Sequence, residues 1–331
     1  MTVCIGPSHR HASGPSTTAS ETGMPRALRL AFVNNMPDAA FEETEQQFRH
    51  LLQGGLNEPN VHLRCYALPS IERGALVRAK LARDYLHIAD LYAEPPDALI
   101  VTGTEPRSPD LRNEAYWSEL VHLFTWAVDN VSSLLLSCLA SHAALLAFDG
   151  IERVPRESKC SGVFPQSVHT SHPLVRSVAP VQFPHSRMNG VPSEALQARG
   201  YTVVVQSSQA EWTVATVERN RCVLVLFQGH PEYSASTLLR EYRRDVRRYL
   251  NGERPSYPEI PSGYLDAVGD RLLRRFEAKA SPQRDPALMT SFPFDAAERH
   301  IAADWQRASK SLVSNWLQQV EQRRAAVGVG S

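Results

Sequence analysis

Along most of the chain, short apolar runs are separated by amphipathic stretches. The run Leu28 to Val33 ends in Asn34-Asn35-Met36-Pro37, and Phe41, Phe48, Leu51 and Leu52 follow at helical spacing, which predicts strand, loop and helix. The alternation recurs at Val61 to Leu68, at Asp97 to Thr102 before Gly103, and at Val131 to Ser137, with a helix carrying Tyr116, Trp117, Leu120, Phe124 and Trp126 between the last two. Val131 to Ser137 runs directly into Cys138 and the alanine-rich helix Leu139 to Phe148. Short apolar strands alternating with helices predict an α/β fold with a mostly parallel sheet and helices on both faces, where ligands gather at the carboxyl ends of the strands.

Beyond Gly150 the pattern loosens into shorter strands, Ser161 to Phe164, Thr202 to Gln206 and Trp212 to Val217. One firm strand follows, Cys222 to Phe227, running into Gln228-Gly229-His230-Pro231-Glu232 and then a helix with Leu238, Leu239, Tyr242, Val246 and Tyr249 on one side. Pro255, Pro258 and Pro261 mark a connector. Asp295 and Glu298 have capping-box spacing, and Ile301, Trp305, Ala308, Leu312, Trp316 and Val320 repeat every three or four residues, so a long C-terminal helix is predicted. Its apolar stripe must pack on its own domain or on a second subunit, and a homodimer is expected. More than half of residues 1–26 are Ser, Thr, Gly or Pro without periodicity, which reads as a disordered, mobile tail. The chain thus divides into a tail (1–26), an α/β domain (27–253) and a Pro-rich connector with a helical extension (254–331).

Composition narrows the function. Hydrophobic residues are 43% and charged residues 21% of the 331, which excludes a wholly disordered or fibrous chain. Lys+Arg 35 against Asp+Glu 35 gives net charge +0, which argues against bulk attraction to nucleic acid or anionic membrane and points to small-molecule partners. The longest apolar runs fall short of the roughly 18 to 20 residues of a membrane span, and the expected location is cytoplasmic. Cys4, Cys65, Cys138, Cys160 and Cys222 are scattered without CxxC spacing, so they are expected to be free thiols, with no zinc site.

Two strand ends carry candidate chemistry. Cys138 lies where a buried strand meets a helix, so its thiol faces the first unpaired N–H groups and the positive end of the helix dipole. Those donors, beginning with the backbone N–H of Leu139, can receive an oxyanion. His230-Pro231-Glu232 places a carboxylate two residues from an imidazole, which together with Cys138 makes a nucleophile, base and orienter. Taken singly, Cys138 reads as an inert buried thiol and His-Pro-Glu as a turn; together, at strand ends of one sheet, they favour catalysis. His142, one helical turn after Cys138, is an alternative base or a core histidine. His169, His172 and His185 fall on loops without metal-ligand spacing, so no metal is expected. Arg240, Arg243, Arg244, Arg247 and Arg248 read as a solvated helix face, Arg244 excepted.

These residues carry a family resemblance. Asn35-Met36-Pro37 with Glu45-Gln46-Gln47-Phe48, Asp97 to Gly103, Ala115-Tyr116-Trp117, Cys138 with Ala143-Ala144-Leu145, Lys159-Cys160-Ser161-Gly162-Val163, Pro184-His185-Ser186-Arg187, Gly229-His230-Pro231-Glu232-Tyr233 and Arg244-Asp245-Val246 resemble the homoserine O-succinyltransferase family over about Leu28 to Val246. Asn315-Trp316-Leu317 extends a weaker match. The resemblance implies a flavodoxin-like, class I glutamine amidotransferase-like fold and ping-pong acyl transfer in methionine biosynthesis. Cys138 would take a succinyl or, less readily, an acetyl group from coenzyme A, His230 would shuttle the proton, Glu232 would hold His230, and the hydroxyl of L-homoserine would accept the acyl group. No cofactor is implied beyond the acyl-CoA substrate. Glu241 and Arg244 fall where the amino-acid ammonium and carboxylate are held, and Lys159, Ser186 and Arg187 at substrate-lining positions. A serine O-acyltransferase of the same mechanism, a glutaminase-like amidotransferase or hydrolase, and a silent binding protein are the competing readings.

Three departures from the family pattern stand out. Asp38-Ala39-Ala40 replaces a lysine pair near the donor site, Leu139 replaces an aromatic, and Arg107 stands at the donor-specificity position, where a guanidinium would pair with a succinyl carboxylate.

Overall fold

The computed structural model describes residues 27–53, 59–178 and 181–328, so the expected tail 1–26, with Cys4, lies outside the described residues. In chain order the elements are β1 (Leu28–Val33), α1 (Asp38–Leu51), β2 (Val61–Tyr66), α2 (Ala75–Asp84), α3 (Ile88–Ala93), β3 (Ala98–Val101), α4 (Trp117–Asn130), β4 (Ser133–Ser137) and α5 (Leu139–Asp149). Then come β5 (Val154–Pro165), β6 (Ser167–Val168), β7 (Gln182–Gly190), α6 (Ser193–Gln197), β8 (Thr202–Ser207), β9 (Glu211–Arg219), β10 (Cys222–Phe227), α7 (Thr237–Leu250), α8 (Ala267–Gln283), α9 (Phe294–Glu298) and α10 (Gln306–Gly328). Contacts divide the chain into two compact units. Met1–Ala140, Glu218–Val225 and Ser314–Ser331 form the first, and Ser141–Val217 and Leu226–Val313 the second.

The first unit is the parallel one. Its strands run in the order β2-β1-β3-β4-β10. Leu28 pairs with Val61, Phe32 with Ile100 and Val101 with Leu136, all in parallel register. All four residues of β3 are buried, as both-face burial requires of a central parallel strand. Helix α4 buries Leu120, Leu123, Phe124, Ala127 and Val128. The order reverses between β1 and β3, the place where ligands of such sheets gather, and there the two loops are tied: Asn35 N–H donates to Thr102 Oγ1 at 2.8 Å.

The second unit is antiparallel. β8 pairs with β9 and with β6, and β5 pairs with β7, with Ser161 opposite Ser186 and Cys160 opposite Arg187. The β5–β7 register shifts between Pro155 and Cys160, an irregularity that re-aims the side chains within it, Lys159 included. Ser262 adds a bridge beside Gly162, whose Cβ-free backbone lets the Ser262 carbonyl approach, so the segment after the prolines is sewn onto this ribbon. β7 and α8 were not predicted. β7 reads Gln-Phe-Pro-His-Ser-Arg-Met-Asn-Gly, too polar for a strand signal, while α8 starts on the Asp266 side chain, which caps Val268 and Gly269 N–H groups.

The long C-terminal helix is there as α10, but it starts later than its capping-box signal predicts, with a break before it. α9 ends at Glu298 and α10 begins at Gln306. Between them Ile301 bridges Leu265, Asp266 N–H donates to His300 O and Ala302 N–H to Tyr264 O, so a neighbouring segment takes the backbone groups a helix would have used. The stripe is buried by this chain itself. Trp305 donates to Tyr233 O at 3.0 Å in the second unit, Trp316 donates to Ser133 Oγ at 2.9 Å in the first, and Leu312, Val313, Leu317 and Val320 are buried. The stripe therefore needs no second copy to cover it.

Candidate active site

Among the described cysteines, Cys65, Cys160 and Cys222 are buried and Cys138 is half-buried. Burial pushes the thiols of Cys65 and Cys222 up to about 12 and that of Cys160 upward, which keeps all three protonated and unreactive near neutrality. Cys138 differs in backbone as well. It joins β4 to α5 with φ +52°, in the left-handed region that costs a residue with a Cβ about 1 kcal/mol or more. A strained strand-to-helix turn of this kind lifts a nucleophile to the end of the sheet and aims the first helical N–H groups at the same point. Gly103, on the loop after β3, lies against that turn. A Cβ on Gly103 would stand 2.6 Å from Leu139 Cβ and 2.9 Å from Leu139 N, so only glycine lets the loop come so close.

The other expected donor-side residues lie on the first unit's loops. The Arg107 N–H donates to Glu114 at 2.6 Å, while its guanidinium is 83% exposed and 3.7 Å from Glu72. Beside Asp38-Ala39-Ala40 lies a buried cation, Arg73. It donates to Met36 O at 2.5 Å, pairs with Asp38 at 3.3 Å and stacks 4.8 Å over the Phe41 ring.

In the second unit, β10 ends at a loop held from several sides. Gly229 lies so close to Thr213 and the His185 ring that a Cβ would come within 2.8 Å and 3.1 Å of them. His230 N–H donates to Pro184 O at 2.8 Å, anchoring the loop to β7. His230 Nδ1 meets Glu232 Oε1 at 2.8 Å with both side chains buried. A carboxylate only accepts, so Nδ1 carries the proton and the Nε2 lone pair is the basic position of the ring. Tyr233 stacks on that ring, centroids 4.2 Å apart and planes at 20°, which fixes its tilt.

The Tyr233 hydroxyl extends the arrangement by donating to Glu241 Oε1 at 2.8 Å, and Ser186 donates to Glu241 Oε2. Lys159 Nζ is 2.8 Å from Asp245 Oδ2 and 3.7 Å from Glu241 Oε2. Arg244 and Arg254 stand 3.3 Å and 3.9 Å from Asp245. Burial works to raise the Asp245 carboxyl, but Lys159 and Arg244 outweigh it and hold it below its ordinary value. The structure therefore brings Lys159, Ser186, Glu241 and Arg244 together around Asp245. Arg187 stands apart: successive strand residues point to opposite faces, so it turns away from Ser186 and donates to Asn189 O and Ala210 O, both at 2.8 Å, and to Glu211. Tyr233 and Asp245 were missed, although Glu241 and Asp245 are spaced to share one face of α7.

His142 is committed elsewhere. Gln228 Nε2 donates to Trp212 O at 2.8 Å, so its Oε1 accepts, and His142 Nε2–H donates to it at 3.0 Å. Burial lowers His142 to about 4 and, with the nearby Arg187 charge, holds His185 well below 6.5. Both rings stay neutral in the folded chain while the unfolded chain protonates them below about 6.5, so stability must fall as pH drops from about 7 toward 4. His142 alone should remove about 2 kcal/mol between pH 7 and pH 5. Melting curves at the two pH values check this: the acid-induced drop should shrink in His142→Gln, and an equal drop in both proteins would reject it.

A family model described as homoserine O-succinyltransferase matches residues 12–326. The chain belongs to the homoserine O-succinyltransferase family. It is 42% identical over 308 residues to a homoserine O-succinyltransferase of Rhodopseudomonas palustris, covering 93% of this chain and 91% of that one. It is 43% identical over 303 residues to one of Methylorubrum extorquens, covering 91% and 89%. Among solved structures, a glutamine amidotransferase of Thermotoga maritima is 14% identical with a TM-score of 0.47, covering 90% of this chain and 100% of that one. As a member of the homoserine O-succinyltransferase family, the protein is an acyltransferase. Among the described residues no helix is long and apolar enough to cross a membrane.

Proposed function

We propose that this acyltransferase moves a succinyl group from coenzyme A to the hydroxyl of L-homoserine through a thioester on Cys138. The Cys138 thiol gives its proton to His230 as the sulfur attacks the acyl carbonyl. The oxyanion is received by the N–H groups at the start of α5, the coenzyme A thiolate leaves with the proton from His230, and the acyl-enzyme remains. The homoserine hydroxyl then attacks that thioester, again deprotonated by His230, and the thiol is restored. Glu232 keeps the proton on Nδ1, so that Nε2 works as the base. Glu241 receives the acceptor's ammonium, and Lys159 and Arg244 its carboxylate, while Arg187 supports β7 from its other face.

The observation that carries this reading is the left-handed Cys138 turn in a chain of this family. Intact-protein mass spectrometry after incubation with succinyl-CoA or acetyl-CoA tests it. A succinyl adduct absent from Cys138→Ala supports it, and no adduct from either donor overturns it. Donor choice is proposed to run through Arg107, an exposed guanidinium on the loop after β3. Arg107→Glu should lower kcat/KM for succinyl-CoA about tenfold or more relative to acetyl-CoA, since a charge-assisted contact becomes a repulsion. An unchanged ratio would reject Arg107 as the selector. Serine, one methylene shorter, is separated from homoserine by only about 1 to 3 kcal/mol of binding, so both acceptors belong in the assay. The glutaminase reading is weaker, because Ser137 and Ala140 replace the glycines that flank such a cysteine.

A further inference from the structure

Within the second unit one ammonium stands between two carboxylates. Lys159 Nζ is 2.8 Å from Asp245 and 3.7 Å from Glu241, and the three side chains are 19%, 8% and 19% exposed. Glu241 and Asp245 are four residues apart on α7, so both face the same cation, and attraction falls with distance. The shorter contact keeps Lys159 on Asp245. Glu241 meanwhile is oriented by neutral donors, Ser186 and Tyr233, which leave its charge largely unspent. Arg244 at 3.3 Å and Arg254 at 3.9 Å add positive charge around Asp245, which keeps that buried carboxylate ionised.

We propose that Asp245 is a positioning residue that holds the Lys159 ammonium off Glu241, so that Glu241 remains open to the ammonium of an amino-acid acceptor. This rests on the acceptor-binding role given to Glu241 above. Without the Asp245 charge, Lys159 closes on Glu241, the other carboxylate it already faces at 3.7 Å. The acceptor's ammonium then competes with a tethered one. Acylation, which makes no use of this cluster, is unaffected.

The test compares Asp245→Asn and Asp245→Glu with the wild type in three measurements: homoserine binding by calorimetry, KM for homoserine, and the burst of coenzyme A released on mixing with succinyl-CoA. Asp245→Asn should weaken homoserine binding and raise its KM about tenfold, with the burst and the melting temperature near wild type, and Asp245→Glu should recover much of the loss. In a double-variant cycle, Lys159→Met should relieve part of the Asp245→Asn defect, because the misplaced lysine is its cause, with the lost Lys159 contact to the acceptor's carboxylate setting what remains. Unchanged homoserine binding in Asp245→Asn overturns the proposal, as does an equal fall of burst and acceptor use with loss of stability. A wild type without a burst would reject the acyl-enzyme route instead, and calorimetry would still decide the role of Asp245.

Discussion

Replacing Cys138 with alanine is expected to abolish acyl transfer while leaving the protein folded. In the proposed route the Cys138 sulfur is the reacting atom, and losing a covalent nucleophile removes that route rather than a fraction of its rate, so turnover should drop by about 10⁴-fold or more. The fold should persist because alanine keeps the Cβ and the residue is only half-buried. The same position offers a control for backbone strain. At φ +52° a Cβ is unfavourable, so Cys138→Gly should be as inactive as the alanine variant yet melt at an equal or higher temperature, the relief of up to about 1 kcal/mol offsetting glycine's greater freedom in the unfolded chain. Steady-state rates and thermal melts of the two variants suffice. An active alanine variant would dismiss Cys138 as the nucleophile, and a glycine variant much less stable than alanine would dismiss the strain.

His230→Asn should suppress the coenzyme A burst by about 10²- to 10⁴-fold, the range that a positioned general base supplies. Glu232→Gln should be milder. The carboxylate touches Nδ1 at 2.8 Å and orients the ring without taking the proton, and a glutamine carbonyl can still accept from Nδ1–H. Tyr233, stacked 4.2 Å from the ring, continues to hold its plane in that variant. Stopped-flow measurement of coenzyme A release across pH separates the two. A full burst in His230→Asn would transfer the base role elsewhere, although His142, whose Nε2–H is engaged by Gln228, is poorly placed to inherit it. Equal losses in both variants would mean that Glu232 does more than orient.

Local pattern and long-range contact contributed differently to what could be read in advance. Apolar runs bounded by breakers placed β1, β3, β4 and β10 close to their observed limits, because a strand buried on both faces announces itself as a near-continuous hydrophobic run, while β2, at the end of the order, showed itself by alternation. The same signal put Cys138 between strand and helix and His230-Pro231-Glu232 just past a strand end. β7 escaped, since a polar ribbon strand has no such run, and with it went the opposite facing of Ser186 and Arg187. The break between α9 and α10 escaped too. A periodicity of three to four residues continues across it, and only the 264–266 segment, far away in sequence, diverts the backbone hydrogen bonds.

The sequence by itself determined the α/β class, the family and which side chains are candidates for the chemistry, all of which depend on residue type and on spacing within a few turns of chain. Tertiary structure decided which of those side chains share a site and in what state. Lys159 reaches Asp245 across 86 residues, Trp305 pins Tyr233 across 72, and burial rather than residue type raises the thiols of Cys65 and Cys222. The physical reason is that a hydrogen bond or a desolvated charge depends on what lies within a few ångströms, and folding draws those neighbours from segments whose separation along the chain leaves no periodic trace.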